Sequence, residues 1–321
     1  MNATNDLQQA REWLQNADHI LIGAGAGLST AAGIDYTGEA FRREFADMIA
    51  KYGFGDLYSA SFYPYPTEEE FWASWARHVL FARFNNGQSA KDEPSKYTEA
   101  LPLYQQLFEL VENKDYFVIT TNVDGQFRKA GFDAERLFEV QGDYAYLQGK
   151  TGKSGQVWYS EDLFRQMVRE EQNGRIPTAL IPRDPESGEK MEIHVRKDLY
   201  FVEDEAWQHA QSNYYDWLET NLTSNSASGL TANNEVVLLE LGVGFNTPTI
   251  IRFPFERLAN KYRGVRLIRF NRDYPTAQLP IDHFIGLTDL SALFRFTESW
   301  VRAPHSTPEH SPDGTGEAAS A

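Results

Sequence analysis

Residues 21–33 read LIGAGAGLSTAAG, and the fold turns on how this stretch is read. An apolar run ends in alternating glycines and then in the small residues that open a helix. Phosphate-binding loops are written this way, because backbone amides at a helix N-terminus can face an anion. Gly23, Gly25 and Gly27 permit that close approach. The spacing is not the dehydrogenase fingerprint G-x-G-x-x-G, since the third glycine falls at position 28 or 30, where Leu28 and Thr30 stand. A tight strand–helix turn with no ligand fits this stretch equally well when it is taken alone.

The flanking chain supplies the layers around it. Apolar strands are expected over residues 19–25, 116–124, 235–244, 265–273 and 282–290, and helices over 5–16, 101–114 and 204–222. Residues 41–96 carry many aromatics and no strand alternation. They read as several core-forming helices, broken at Pro64 and Pro66, with Thr67 the N-cap of EEEFWASWARHVL. Strands alternating with helices predict an α/β fold with a Rossmann-like parallel sheet. Residues 144–197 are rich in Gly, Pro and Lys and read as loops and short ribbons. Residues 224–234 (SNSASGLTANN) read as a linker. The expected organisation is a nucleotide-binding domain from 1–40, 101–143 and 230–300, an inserted helical module at 41–100, a small ribbon module at 144–205, and a polar, disordered tail at 302–321.

Composition excludes several functions. The chain of 321 residues has 30 Lys plus Arg against 46 Asp plus Glu, a net charge of −16. Such a surface is a poor general ligand for nucleic acid or an anionic membrane. With 0 cysteines there are no disulfides, no thiolate catalysis and no Cys-based zinc or iron–sulfur site. The first residues, MNATNDLQQAREWLQ, lack the basic start and apolar block of a signal peptide, and no apolar run is long enough to span a membrane. A cytoplasmic protein is the expectation.

In a parallel sheet, ligands bind at the carboxyl ends of the strands. Four polar tips fall there: GAGAGLS, TTNVDGQ, LGVGFNTP and FNRD. Asn122 and Asp124 follow an apolar strand and would point at whatever the glycine loop holds; an Asx turn or helix cap is the plainer use of the same residues. Gln141 in FEVQGD can orient a hydroxyl but cannot act as a general base. Gly242 and Gly244 allow another close backbone approach.

In order and spacing, GAGAGLSTAAGI, TTNVDGQF, VQGD and LGVGFN resemble the sirtuins, over about residues 6–298. The resemblance implies a Rossmann-type domain with a smaller inserted domain, part helical and part zinc-holding. It also implies that NAD is cleaved at its nicotinamide–ribose bond as a co-substrate. By resemblance, Asn122 holds the ribose or the attacking group. Val123 and Asp124 grip the nicotinamide carboxamide, and Gln141 bonds a ribose hydroxyl. Gly23, Ala24, Gly25, Ser29 and Thr37 line the phosphates and ribose. Gly242, Gly244 and Asn246 run along the ADP-ribose, and Asn271 and Arg272 lie near the adenosine. Arg272 reads equally well as a solvated surface charge.

The departures point to a branch of the family. GIDYTG replaces G-I-P-D-F-R-G, so Thr37 stands where arginine is expected, and Gln141-Gly142 replaces His-Gly. Where the zinc cysteine pairs belong, YLQGKTGKSGQ and IPRDPESGEKM offer Gly149, Asp184 and Ser187, so a metal-free ribbon is expected. These features resemble the macrodomain-linked, class M sirtuins. That likeness implies protein mono-ADP-ribosylation of a lipoylated, glycine-cleavage-H-like carrier, reversed by a macrodomain hydrolase. Without a base at position 141, deacylation is expected to be slow or absent, and an Asp or Glu acceptor, which needs little activation, fits the chemistry. An NAD-dependent deacylase with a substitute base, a non-catalytic NAD or ADP-ribose sensor, and an NADase stand as alternatives. His19, His78, His194, His209 and His283 lie in no motif and read as structural.

Overall fold

The computed structural model describes residues 3–223, 235–280 and 282–294. The expected linker at 224–234 and the expected tail at 302–321 lie outside the described residues. The larger sheet holds β1 (His19–Ala24), β2 (Asp115–Thr120), β3 (Leu137–Glu139), β7 (Val236–Leu241), β8 (Val265–Phe270) and β9 (Phe284–Leu287). All neighbours pair in parallel, in the order β3-β2-β1-β7-β8-β9. Counted along this sheet alone, the order is 3-2-1-4-5-6, that of doubly wound dinucleotide-binding folds. The chain reverses direction across the sheet between β1 and β7, and that switch point is where such folds place a ligand.

The strands are apolar almost throughout because helices cover both faces. Ile20 and Ile22 turn to one face, where they meet Leu14, Leu28, Tyr104 and Leu107. Leu21 turns to the other, with Phe117, Trp207 and Phe255. Phe255 belongs to a helix, Arg252–Lys261, that the sequence reading did not mark. A Cβ on Gly23 would sit 2.5 Å from Ile251 and 2.7 Å from Phe255, so glycine lets this helix close on β1. Among the described residues, no helix is long and apolar enough to cross a membrane.

The second body joins the helical segment to a small antiparallel sheet. Helices Glu39–Glu44, Ala46–Tyr52, Leu57–Ser61 and Glu68–Val79 appear where helices were expected. Thr67 caps the last of these by accepting from the Glu70 amide at 3.3 Å. Residues 144–197 are more ordered than loops and ribbons. β4 (Gly142–Gly149), β5 (Val157–Tyr159) and β6 (Met191–Val195) form a sheet in the order β5-β4-β6, and residues Glu161–Glu170 form a helix. Phe164, Met167 and Val168 of that helix share one core with Phe41, Phe45, Phe81 and Leu147. The helix was readable in EDLFRQMVRE, whose apolar residues recur at helical spacing. β4 was not, because burial on both sides removes strand alternation.

The ribbon turns are organised by carboxylates. Asp184, 1% exposed, accepts from Ser154 Oγ at 2.7 Å and from the amides of Glu186 and Ser187 at 2.9 Å. Glu189 accepts from Thr151 Oγ1 at 2.5 Å and from the amides of Thr151 and Lys153 at 3.2 and 3.3 Å. A Cβ on Gly149 would meet Glu189 Oε1 at 2.2 Å and Asp184 Oδ2 at 2.7 Å. Among the described residues, no group of three or more His, Cys, Asp or Glu side chains is placed to hold a metal. Asp184→Ala orphans three donors and is expected to lower unfolding stability by about 1–3 kcal/mol in a denaturant titration. A chelator is expected to leave the parent's midpoint unchanged.

Candidate active site

The tips of β1 and β7 are locked by glycine packed on glycine. Gly25 N donates to Leu241 O at 3.0 Å and Gly27 N to Gly242 O at 2.9 Å. Gly242 has φ +63°, and a Cβ there would lie 2.3 Å from Leu28 N and 2.4 Å from the Gly27 carbonyl carbon. The reading of Gly25 and Gly27 as anion-facing amides therefore needs correction, since both amides are held by the β7 tip. These glycines build the crevice floor, and Ala26, Gly27 and Thr30 are exposed on it.

The β2 tip is pinned beside it. Thr121 N and Thr120 Oγ1 both donate to Ala24 O, at 3.0 and 3.1 Å, and Thr120 Oγ1 accepts from Asn122 N at 3.0 Å. The turn that follows buries Asn122, Val123 and Asp124. Asn122 Nδ2 donates to the Tyr104 hydroxyl at 3.1 Å, Tyr104 and Ser29 share a bond of 3.0 Å, and Ser29 Oγ donates to Asp124. Ser29 has one proton and gives it to the carboxylate, so it accepts from Tyr104, and Tyr104 in turn accepts from Asn122. The chain runs one way, from Asn122 through Tyr104 and Ser29 to Asp124, and it fixes which end of the Asn122 carboxamide points inward. Burial raises the Asp124 pKa, against the bonds from Ser29 and the Gln126 amide and the nearby Arg83 charge. Burial likewise lifts Tyr104 well above the usual phenol range, so it stays a neutral donor.

Gln141 is half-buried against this turn. Val140 N donates to Thr120 O at 3.0 Å and Tyr144 N to Val123 O at 3.1 Å, so the segment carrying Gln141 runs along the Asn122–Asp124 turn. Gly142 has φ +90° and faces His194 O, which a Cβ would approach to 2.2 Å. Tyr36, from GIDYTG, and Tyr144 lie against each other near Asp124, and burial raises both phenols. His78 packs on Tyr144, Tyr36 and Trp75, and burial pushes its pKa down to about 3, so it is neutral. His19 bonds Asp115 at the opposite end of β1, and His194 bonds Val202 O. His209 is exposed beside Glu135, and His283 bonds Ala259 O.

The remaining residues singled out by sequence divide into two groups. Gly244, Asn246 and Arg272 are exposed at the β7 and β8 tips, and Arg272 lies within electrostatic reach of Asp35 across the crevice. Thr37 is exposed, but its amide and hydroxyl both donate to Asp35 at 2.9 Å. Asn271 donates to Val243 O at 2.7 Å and accepts from the amides of Asp273 and Tyr274 at 3.1 and 2.9 Å, so its carboxamide ties the β8 tip to the β7 tip. A cavity of about 380 Å³ opens beside these tips, lined by Phe245, Arg252, Tyr274 and Gln278 among others. Sequence reasoning missed Tyr104, whose one signal was a hydroxyl on the apolar stripe of the helix Pro102–Val111.

No protein-family model matches the chain. It is 33% identical over 270 residues to a Staphylococcus aureus protein named protein ADP-ribosyltransferase, covering 84% of this chain and 79% of that protein. It is also 33% identical over 284 residues to a probable bifunctional ADP-ribose hydrolase/ADP-ribosyltransferase of Fusarium oxysporum, covering 85% of this chain and 43% of that longer protein. A solved Sir2 homolog–NAD complex superposes with a TM-score of 0.51 at 15% identity, over 92% of this chain and 94% of that one. A complex of mutant Sir2 homologues with 2'-O-acetyl ADP-ribose superposes with a TM-score of 0.50 at 16% identity, over 95% of this chain and 100% of that one. At those identities the likeness is one of fold.

Two substitutions probe the geometry. Gly242→Ala combines a left-handed backbone with a backbone clash, and calorimetry is expected to show a loss of about 2–3 kcal/mol. Tyr104→Phe cuts the hydrogen-bond chain in its middle and is expected to cost about 1–3 kcal/mol by the same measurement.

Proposed function

The chain belongs to the sirtuin-like protein ADP-ribosyltransferases, and from that premise we propose that it cleaves NAD and transfers the ADP-ribose to a carboxylate of a protein acceptor. The observation that carries this reading is the pairing of an oriented Asn122 and Asp124 with a Gln141 that cannot take a proton. In the transfer, the bond between the ribose anomeric carbon and the nicotinamide nitrogen breaks, and its electron pair stays with nicotinamide. An acceptor carboxylate oxygen forms the new bond to the same carbon. The pyridinium charge and the carboxylate charge disappear together, so no proton moves and no base is needed. Lysine or serine acceptors would each have a proton to lose, and neutral His78 and Gln141 are poor places to put it.

Each residue has a part in that step. Asn122, held by Tyr104, presents its carboxamide oxygen to the ribose. Asp124 keeps lone pairs free of Ser29 and Gln126 for the nicotinamide amide, beside the Val123 backbone. Gln141 bonds a ribose hydroxyl. Gly23, Ala24, Gly25 and Ser29 shape the crevice under the phosphates, with Thr37 holding the loop above it. Gly242, Gly244 and Asn246 flank the ADP-ribose. Asn271 and Arg272 border the adenosine, which fits the cavity walled by Phe245 and Tyr274.

The acceptor we favour is a lipoylated, glycine-cleavage-H-like carrier protein. The joining of ADP-ribose hydrolase and transferase in the Fusarium relative supports reversal of the mark by a macrodomain hydrolase. The site of action we favour is the cytoplasm. Asn122→Ala is expected to slow nicotinamide release by about 100-fold, the scale of a misplaced reacting group; a sensor would have no release to lose. The parent is expected to remove no acyl group from an acyl-lysine peptide, and Gln141→His to gain that activity. Brisk deacylation by the parent overturns the reading. Neutral hydroxylamine is expected to strip the label from the acceptor, as from an ester. A hydroxylamine-stable label on lysine rules out the carboxylate acceptor.

A further inference from the structure

Arg83 stands outside every motif, in the π-helical turn Leu80–Phe84 that ends the helix Glu68–Val79. Such turns interrupt helical spacing and are frequent at functional sites. Its guanidinium is buried and grips Asp143 with both prongs, Nε to Oδ1 at 2.6 Å and Nη2 to Oδ2 at 3.0 Å. Asp143 closes the turn that begins at Gln141, and its Oδ1 also accepts from Ala145 N at 2.8 Å. The same guanidinium lies against Gly125, the residue after Asp124. A Cβ there would fall 2.1 Å from Arg83 Cζ and 2.5 Å from Nε and Nη1, and Gly125 has φ +63°. One planar cation therefore touches both turns of the site from a third segment of chain.

We propose that Arg83 is the positioning residue of the transfer: it clamps the Gln141–Asp143 turn to the Asn122–Gly125 turn and so sets Gln141 against Asn122 and Asp124. Gly125 is glycine because the clamp occupies the space of a side chain. The proposal rests on the NAD-cleaving reading of this site.

The charges around Asp124 support a role beyond packing. Ser29 and Tyr104 face it from their helices, Tyr36 from its loop, Tyr144 and Asp143 from β4, Lys129 from the helix Gln126–Lys129, and Arg83 from the π-helical turn. Arg83 favours the ionised Asp124, and Asp143 opposes it. Glu139, pushed up to about 7 by burial, is bonded by Arg128 at 2.7 Å, and it too feels Arg83 and Asp143. Lys129, lowered to about 8 by burial, is engaged by the carbonyls of Phe84 and Tyr97 and by Asn86. Arg83 is thus the cation that is bonded to Asp143 and that also favours the ionised form of Asp124.

The test compares Arg83→Met, Arg83→Lys and the double variant Arg83→Met with Asp143→Leu, which removes the clamp without stranding a buried carboxylate. Nicotinamide release is followed against pH and NAD concentration. Arg83→Met and the double variant are expected to lose about 100-fold in kcat with the KM for NAD within about threefold of the parent. The acid limb of Arg83→Met should move to higher pH as Asp124 loses its cation. Arg83→Lys, which keeps the charge but not the fork, should retain the parent's limb and regain about tenfold in kcat. Overturning results are variants that unfold more easily while their folded fraction keeps the parent's kcat and pH profile, or a lysine variant no better than methionine. A parent that releases no nicotinamide defeats the NAD-cleaving reading instead. In that case carboxyl ¹³C NMR decides the clamp: Asp124 should titrate at higher pH in Arg83→Met than in the parent or Arg83→Lys, and identical titrations refute it.

Discussion

The Tyr104 hydroxyl is the contact on which the site depends. It is fully buried, accepts from Asn122, and gives its proton to Ser29, which gives its own to Asp124. Four side chains from three segments are thereby ordered by a rule about protons. Each hydroxyl has one to give, and the chain must end on an acceptor, which the Asp124 carboxylate provides. Reversing any link leaves a buried donor or acceptor unmet, at a cost of about 1–3 kcal/mol. The Asn122 carboxamide is thus oriented before any ligand arrives, which is the kind of preorganisation that makes a fixed dipole effective at a developing charge.

This chain needs a rigid frame, and the sheet supplies one. β1 and β2 run in register to Ala24 and Thr120, and β1 and β7 to Ala24 and Leu241, so three tips end level with one another. Glycine against glycine then locks the β1 and β7 tips without filling the crevice above. The second body reaches the same place from the other side. Arg83 and Asp143 join the π-helical turn to β4, and Tyr144 hangs from the Val123 carbonyl. The crevice is walled by elements that are far apart along the chain and packed in three separate cores.

Much of this was readable in the sequence, and the misses have a common cause. The strands bracketing the four polar tips were placed to within a few residues, and Thr67 was found as a cap, because apolar runs and capping residues are local signals. Asn122, Asp124 and Gln141 stood out because each follows a strand at the sheet edge, and the fold brings them onto adjacent turns. What a residue bonds across the fold left no local trace. Gly25 and Gly27 looked like amides awaiting an anion, but their partners belong to β7 and its tip. The bonds of the Asn271 carboxamide to the backbone of the β7 and β8 tips were equally invisible. Tyr104 looked like one more apolar position on an amphipathic helix. Arg83 sits in a π-helical turn, where helical spacing no longer predicts direction.

Together these features set Asn122 and Asp124 on one turn beside a second turn whose Gln141, unlike a histidine, cannot serve as a base. The central claim is that NAD is consumed by transfer to protein, and counting both products tests it. The chain is incubated with NAD and a lipoylated carrier protein, and free nicotinamide is measured against ADP-ribose bound to the carrier. The account predicts a ratio near one throughout the reaction. Nicotinamide formed in large excess over bound ADP-ribose would contradict it and make the protein a hydrolase of NAD.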